Sequence, residues 1–241
     1  MGKTYSKLDT EKESISGRVL KQLRQDIIAG RYPQGSRLLE IELAQTYGAS
    51  RGTIRSALQE LSNEGLVEFL VSGGCVAVGF TEKIVQDIYD FRCNLELQAG
   101  KILLSEGQFS YAEMVQALDM MLQKESQPLY QENAISFFID VDIRFHQAMV
   151  YAAGNRPIYR AWCSLSAVIR TLMQMNLSED YWKTFQERFY VNHKEFLDLA
   201  ILKDPALLET IRKHTLSAVE MAVRQLKSLQ REAGTGKGGC R

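Results

Sequence analysis

The sequence predicts a mainly α-helical protein with an N-terminal winged helix-turn-helix and a C-terminal all-helical bundle. Helical periodicity dominates the 241 residues, a tight glycine turn separates two short helical segments near the N-terminus, and β-prone runs occur around one glycine pair. We expect four parts: a flexible segment at 1–15, a winged domain at 16–80, a helical domain at 81–230 and a flexible tail at 231–241.

Three short helices are predicted in the winged domain. The first begins near Ser16, has apolar residues at 19, 20, 23 and 27, and ends at Gly30. The second covers LEIELAQTY and stops at Gly48, and Ser50 can cap the third, which ends at Gly65. The apolar stripe of this third helix is Ile54, Ala57, Leu58 and Leu61. Two helices joined across the GAS turn predict a helix-turn-helix.

The stretch LVEFLVSGGCVAVGF carries the strongest hairpin signal in the chain, because two β-prone runs flank Gly73 and Gly74. A hairpin directly after a helix-turn-helix is a wing. The rest of the chain shows amphipathic helical patterns at about 82–106, 110–125, 132–153, 157–176, 178–202 and 205–230. These six stretches predict the bundle.

The composition excludes several classes of protein. The hydrophobic fraction of 45% and the charged fraction of 24% are those of a globular chain, and no apolar run reaches the roughly 20 residues that span a bilayer. The 4 cysteines stand singly, so no disulfide framework is indicated. We expect a cytoplasmic protein without a membrane partner. The net charge is zero, so any nucleic-acid site must rest on local placement of cations.

The third helix is the candidate DNA-recognition element. With its apolar stripe turned inward, Arg51 and Arg55 lie on the outer side, where arginine can bind guanine edges or phosphates in the major groove. The alternative interpretation is that these arginines only form a solvent-exposed charged face. The three-helix order and the wing favour DNA binding instead. The predicted DNA-binding residues are Arg37, Ser50, Arg51, Thr53, Arg55, Ser56, Gln59, Gly73 and Gly74.

These residues resemble a known family. IIAGRYPQGSRLLEIELAQTYGASRGTIRSALQELSNEGLVEF is similar to the winged helix-turn-helix of GntR bacterial transcription regulators, with the wording G-x-x-x-P-G-x-x-L-x-E-x-x-L-A, V-S-R-x-P-V-R-x-A-L and L-x-x-x-G-L-V. The chain departs at Gln34 and Thr53, where proline is usual, and at Ser56, where glutamate is frequent. No cation is removed, so base preference is affected more than DNA binding. The matching positions are Gly30, Gly35, Leu38, Leu43, Ala44, Ser50, Arg51, Arg55, Ala57, Leu58, Leu61, Gly65, Leu66 and Val67.

A second candidate site involves all 3 histidines of the chain. Asp142 and His146 are four apart, so both lie on one helix face, and His193 and His214 fall on later predicted helices. One carboxylate and three imidazoles suit Zn, Ni, Mn or a similar divalent ion. The alternative is that the histidines are hydrogen-bonded structural residues.

From Thr81 to about Leu229 the chain resembles the helical ligand domain (the FCD type) of the FadR-like branch of the GntR family. The resemblance implies that Asp142, His146, His193 and His214 bind the metal and that a small carboxylate effector fills its open positions. Arg92, in the R-x-x-x-E pair with Glu96, is the first candidate to bind that carboxylate and Arg170 the second. An ordinary ion pair with a glutamate is the competing interpretation for both arginines.

The combined prediction is a bacterial transcription regulator, a repressor or an activator, that binds operator DNA as a homodimer and senses a small organic acid. Two recognition helices about 34 Å apart would read a palindrome. Two alternatives stay open. The first is a metal-dependent hydrolase with an appended DNA-binding domain, which is disfavoured because no separate general base accompanies the ligands. The second is a regulator that senses its ligand without metal.

Overall fold

The computed structural model describes residues 14–79, 81–105, 107–124, 132–174 and 179–235. Within these ranges the chain forms nine helices and one two-stranded hairpin, in agreement with the predicted fold class. The elements in chain order are α1 (Ile15–Ile28), α2 (Glu40–Thr46), α3 (Arg51–Asn63), β1 (Val67–Phe69), β2 (Cys75–Ala77), α4 (Glu82–Leu103), α5 (Ala112–Lys124), α6 (Glu132–Ala152), α7 (Arg156–Gln174), α8 (Glu179–Leu202) and α9 (Ala206–Thr235).

Helix α3 begins at a side-chain cap. Ser50 lies in the extended region and its hydroxyl accepts a hydrogen bond from the backbone N–H of Thr53 at 3.1 Å, which satisfies one donor of the first turn. The turn before it needs Gly48, which adopts a φ of +60°. The predicted inward stripe is confirmed, because Ile54, Ala57, Leu58 and Leu61 are all buried. The helix therefore presents its other side outward.

The wing is an antiparallel hairpin in which Val67 pairs with Ala77 and Phe69 with Cys75. Gly73 and Gly74 form its tip with φ of +87° and +98°, a backbone conformation that a side chain would strain. Arg37 forms an isolated antiparallel bridge to Val76, so the segment before α2 lies beside the wing.

The bundle is built around α4 and α6. Helix α4 packs mainly on α9 and also contacts α6 and α7, while α6 is flanked by α5 and α7. Its core centres on large buried side chains such as Phe145, Trp162 and Phe196. Compared with the sequence prediction, α4 ends earlier, at Leu103, and α9 runs further, to Thr235. Residues 1–13 and 236–241, which make up most of the two predicted flexible ends, lie outside the described ranges.

A continuous apolar cluster joins the winged domain to the bundle. The buried side chains of α1 and α3, including Leu23 and Leu58, share one cluster with Tyr89 of α4, Leu172 of α7 and Ala222 of α9. The two domains are therefore packed against each other. In the part of the chain that is described, no helix combines the length and the apolar character that a bilayer crossing requires.

Candidate functional site

The outer face of α3 carries exposed cations. The side chains of Arg51 and Arg55 are 62% and 68% exposed, and both arginines are free of the apolar core. The other predicted DNA-contact residues are also accessible, with Thr53 half-buried and Arg37, Ser50, Ser56, Gln59, Gly73 and Gly74 exposed. This arrangement can present guanidinium groups and hydroxyls to a groove.

One acidic residue joins these arginines. Glu40, the first residue of α2, accepts two hydrogen bonds from Arg55, Nε to Oε1 at 2.7 Å and Nη2 to Oε2 at 2.9 Å. Arg51 Nη2 lies 3.6 Å from Glu40 Oε2. The hydrogen bonds from Arg55 lower the pKa of Glu40, so the carboxylate stays ionised. Glu40 is not among the predicted DNA-binding residues, although it is the glutamate of the L-x-E wording in the family pattern.

The second site lies where three helices of the bundle meet. Asp142 and His146 stand one turn apart on α6, His193 comes from α8 and His214 from α9. One ligand atom from each residue lies within 4.8 Å of the others. His193 Nε2 is 3.1 Å from Asp142 Oδ1, and the Nε2 atoms of His146 and His214 are 3.2 Å apart. The predicted convergence of these four side chains is present.

The hydrogen bonds around the cluster orient its donor atoms inward. His193 Nδ1 lies 2.7 Å from the carbonyl oxygen of Phe189, and because a carbonyl only accepts, the ring proton belongs on Nδ1. In the neutral ring the unprotonated Nε2 then faces the Asp142 carboxylate, so a nitrogen lone pair and a carboxylate oxygen point into the same small space. Such a donor set fits a cation between them.

Burial and charge set the protonation of the cluster. Burial would raise the pKa of Asp142, but its contacts with His193 and His146 and the charge of Arg92 hold this carboxyl below its ordinary value. Burial, as the largest cause, lowers the pKa of His146 and that of His214. An ionised carboxylate and neutral imidazoles are the forms that bind a divalent ion.

Glu96 links the cluster to Arg92. Arg92 Nε and Trp162 Nε1 both donate to Glu96 Oε1, at 2.8 and 3.0 Å. Glu96 Oε2 lies 3.3 Å from His146 Nδ1, within ion-pair distance, but the alignment falls short of a hydrogen bond. Burial opposes ionisation of Glu96, yet the charge of Arg92 holds the pKa of this carboxyl well below its usual range.

A cavity of about 430 Å³ opens beside the cluster, and Asp142, His193, His214 and Arg92 line it. Arg92 is 2% exposed, and its Nη2 is buried with no hydrogen-bond acceptor among the described residues. A buried guanidinium nitrogen without an acceptor is costly, which makes it a ready donor for an anion. Arg170 pairs instead with Asp140, and it is absent from the described residues that line the cavity.

Comparison with known proteins agrees with both halves of this arrangement. The family model described as "Bacterial regulatory proteins, gntR family" matches residues 15–76, and the model of the FCD domain matches residues 87–218, more than half of the chain. The chain belongs to the GntR family. The predicted family membership is confirmed, and the FCD match includes all four residues of the cluster.

Similar relatives of this GntR-family regulator include two bacterial repressors. The "Gluconate operon transcriptional repressor" of Bacillus subtilis (strain 168) is 27% identical over 199 residues, 82% of this chain and 80% of the relative. The "Probable D-xylose utilization operon transcriptional repressor" of Paenarthrobacter nicotinovorans is 26% identical over 205 residues, 85% of this chain and 87% of the relative.

Solved structures share the fold. One, described as "Lar controls the expression of the Listeria monocytogenes agr system and mediates virulence", superposes with a TM-score of 0.67 at 16% identity and covers 92% of this chain and 99% of that chain. "E. coli McbR/YncC" gives 0.54 at 18% identity, covering 91% and 99%. The family match, and not these structures, identifies the protein as a DNA-binding regulator of transcription rather than an enzyme, so the hydrolase alternative is set aside.

Proposed function

We propose that this regulator is a homodimeric repressor whose bundle holds a divalent transition metal ion and senses a small carboxylic acid. The observation that carries the proposal is the convergence of Asp142, His146, His193 and His214 within 4.8 Å, beside a cavity that Arg92 also lines. The repressive mode is supported by relatives that are named as repressors.

The donor set supports Zn, Ni or Mn at this site. Three imidazoles and one carboxylate suit such ions. Mn and Ni accept more than four ligands and Zn can expand its coordination, so positions remain for water or an effector. Asp142, His146, His193 and His214 would hold the ion, whose chemistry when bound is Lewis-acidic attraction for oxygen ligands. His193 is oriented by the Phe189 carbonyl and His146 faces Glu96, a surrounding that is typical of metal-ligating imidazoles.

Arg92 supports a carboxylate as the effector. Its Nε is occupied by Glu96, while Nη2 has no acceptor among the described residues, and because Arg92 lines the cavity, a carboxylate there could accept from this nitrogen. A volume of about 430 Å³ suits a small organic acid and is larger than acetate needs. The relative from Bacillus subtilis is named for the operon of gluconate, which is such an acid. Arg92 is therefore the proposed effector-binding residue, and Arg170 has no comparable support.

The winged domains would bind operator DNA through α3 and the wing, and two of them about 34 Å apart would read a palindrome. Tyr89, Leu172 and Ala222 line the cavity and also belong to the apolar cluster that packs on the winged domain. A bound acid that shifts these side chains would therefore change how the winged domain packs against the bundle. A coupling of about 1 to 3 kcal/mol between the two sites would be ordinary for such a regulator.

The test is metal analysis of the purified full-length protein, followed by thermal melts with a panel of small carboxylates, with and without a chelator. We expect about one ion per chain, and we expect one class of acid to raise the melting temperature only in the metal-loaded sample. The same acid should release the protein from its operator. Stabilisation that persists in chelator would support the metal-free sensor instead, and a protein purified without bound metal that also fails to bind added Zn, Ni or Mn would contradict the proposal.

A further inference from the structure

We infer that Glu40 is a positioning residue for DNA recognition, which fixes the guanidinium of Arg55, and more loosely that of Arg51, in the orientation that reads a base. The inference rests on the proposed use of α3 as the recognition helix, and it adds a residue that lies outside α3 and carries a charge of the same sign as DNA.

The contact uses only one edge of the Arg55 guanidinium. Glu40 accepts from Nε and from Nη2, at 2.7 and 2.9 Å. The neighbouring edge, made of Nη1 and the second hydrogen of Nη2, contacts no acceptor in the described part of the chain. Guanine offers O6 and N7 as two neighbouring acceptors in the major groove, and this free edge carries two parallel donors that match them.

Pre-orientation matters because Arg55 is otherwise a long side chain in solvent, 68% exposed. A free arginine on a helix surface samples many rotamers, and this freedom is lost when it binds a base. Glu40 is itself only 21% exposed and sits at the first residue of α2, which packs against α3. The Glu40 side chain therefore has less freedom than that of Arg55, and its carboxylate restricts the orientations that the guanidinium can adopt.

The charge of Glu40 separates this role from general affinity. A carboxylate between two arginines repels DNA phosphates and lowers binding to any sequence. An orienting carboxylate increases the preference for the correct base. Removal of Glu40 should therefore strengthen binding to unrelated DNA and weaken discrimination, two changes of opposite sign. A residue with a purely structural role in α2 would not produce this combination.

The experiment uses the full-length protein and duplexes enriched by the wild type from a random-sequence library. Dissociation constants are measured for the enriched duplex and for a scrambled duplex of equal length. Glu40→Ala should reduce the ratio of the two affinities roughly tenfold, mainly through positions that hold guanine, while binding to the scrambled duplex rises. Glu42→Ala is the matched control, because it removes a carboxylate from the same first turn of α2. It should leave the ratio unchanged.

A double-mutant comparison identifies the partner. In an Arg55→Ala background, Glu40→Ala should cause little further loss of discrimination, because the side chain that it orients is gone. Additive losses, or relaxed preference at a position that Arg55→Ala does not affect, would mean that Glu40 contacts DNA by itself and would overturn the inference. Equal effects of Glu40→Ala and Glu42→Ala would also overturn it. If Arg55→Ala retains full discrimination, the recognition role of α3 fails first, and the two failures are thereby distinguished.

Discussion

In the winged domain, Arg55 keeps its guanidinium 68% exposed and meets Glu40 at the surface, whereas in the bundle Arg92 is 2% exposed and meets Glu96, whose side chain is fully buried. Both pairs are arginine–glutamate contacts with a bond from Nε at 2.7 to 2.8 Å. Water screens the first pair strongly and the second hardly at all.

This difference in burial determines how much each pair contributes to folding and what size of partner each arginine can bind. An exposed pair contributes little to folding and leaves the arginine available to a large partner such as DNA. A buried pair must be held together by the fold, since either charge alone would be unstable there. In return, the unsatisfied Nη2 of Arg92 offers a strong interaction to a small anion that reaches the cavity.

Breaking the buried pair should give the largest effect. Glu96→Ala leaves Arg92 without its partner and removes the acceptor of Trp162 Nε1. We expect the free energy of unfolding of the full-length protein to fall by about 3 to 5 kcal/mol, measured by urea denaturation. Glu40→Ala is the surface counterpart and should change this quantity little. A Glu96→Ala protein as stable as the wild type would show that the buried Arg92–Glu96 pair contributes no more to the free energy of unfolding than the exposed Arg55–Glu40 pair.

Removal of both surface arginines tests the exposed site of the winged domain. Arg51→Ala with Arg55→Ala should weaken binding to the enriched operator duplex by roughly a hundredfold or more, because two potential base contacts are lost. The urea unfolding curve should stay close to that of the wild type, since both side chains lie in solvent. Fluorescence anisotropy with labelled duplex measures the first quantity. Retained operator binding would refute the assignment of α3 to the groove.

Loss of one metal ligand tests the bundle without touching the winged domain. His193→Ala should lower metal affinity at least 10- to 100-fold and abolish the response to the acid, because it removes a direct donor. Operator binding without the acid should remain within a few-fold of the wild type, since α8 carries none of the predicted DNA contacts. Metal content by mass spectrometry and operator anisotropy with the acid check both parts. Undiminished metal content would remove His193 from the ligand set.

The extent to which sequence predicts these two regions follows from how far apart the interacting residues lie. Ser50 and Thr53 lie at the start of one helix, and Asp142 and His146 lie within another. Their relative positions therefore follow from the helical period. The contact between Glu40 and Arg55 joins two helices across a turn, and it depends on how α2 packs on α3. No local spacing indicates it, and it was missed.

The bundle shows the same limit in a different form. His193 and His214 could be named because the chain has only 3 histidines and a family resemblance to guide the choice, while their approach to Asp142 depends on the packing of three helices. For Arg92 the sequence leaves two interpretations open, effector binding and an ordinary ion pair with a glutamate. The structure contains the pair and also leaves Nη2 available, which spacing alone could not indicate.

A further effect concerns acidity, and it tests the bundle alone because all 3 histidines lie there. Burial lowers the pKa of His146 and of His214 below the ordinary value of 6.5, so below that pH the unfolded chain binds protons that the folded, metal-free protein does not. The free energy of unfolding in chelator should therefore decrease as pH falls from 6.5 towards 5, by up to about 1.4 kcal/mol per pH unit for each histidine.

The carboxyl groups of Asp142 and Glu96 have lowered pKa values, so their contribution is present above the unfolded values near 4 and is lost only at lower pH. The window between pH 5 and 6.5 therefore reports His146 and His214. His214→Gln should reduce the slope in this window by about half, as seen in urea unfolding at stepped pH. A free energy that stays constant from pH 6.5 to 5 would mean that these rings are protonated as easily in the folded bundle as in the unfolded chain, and the contrast between a buried sensor site and a solvated DNA face would not extend to protonation.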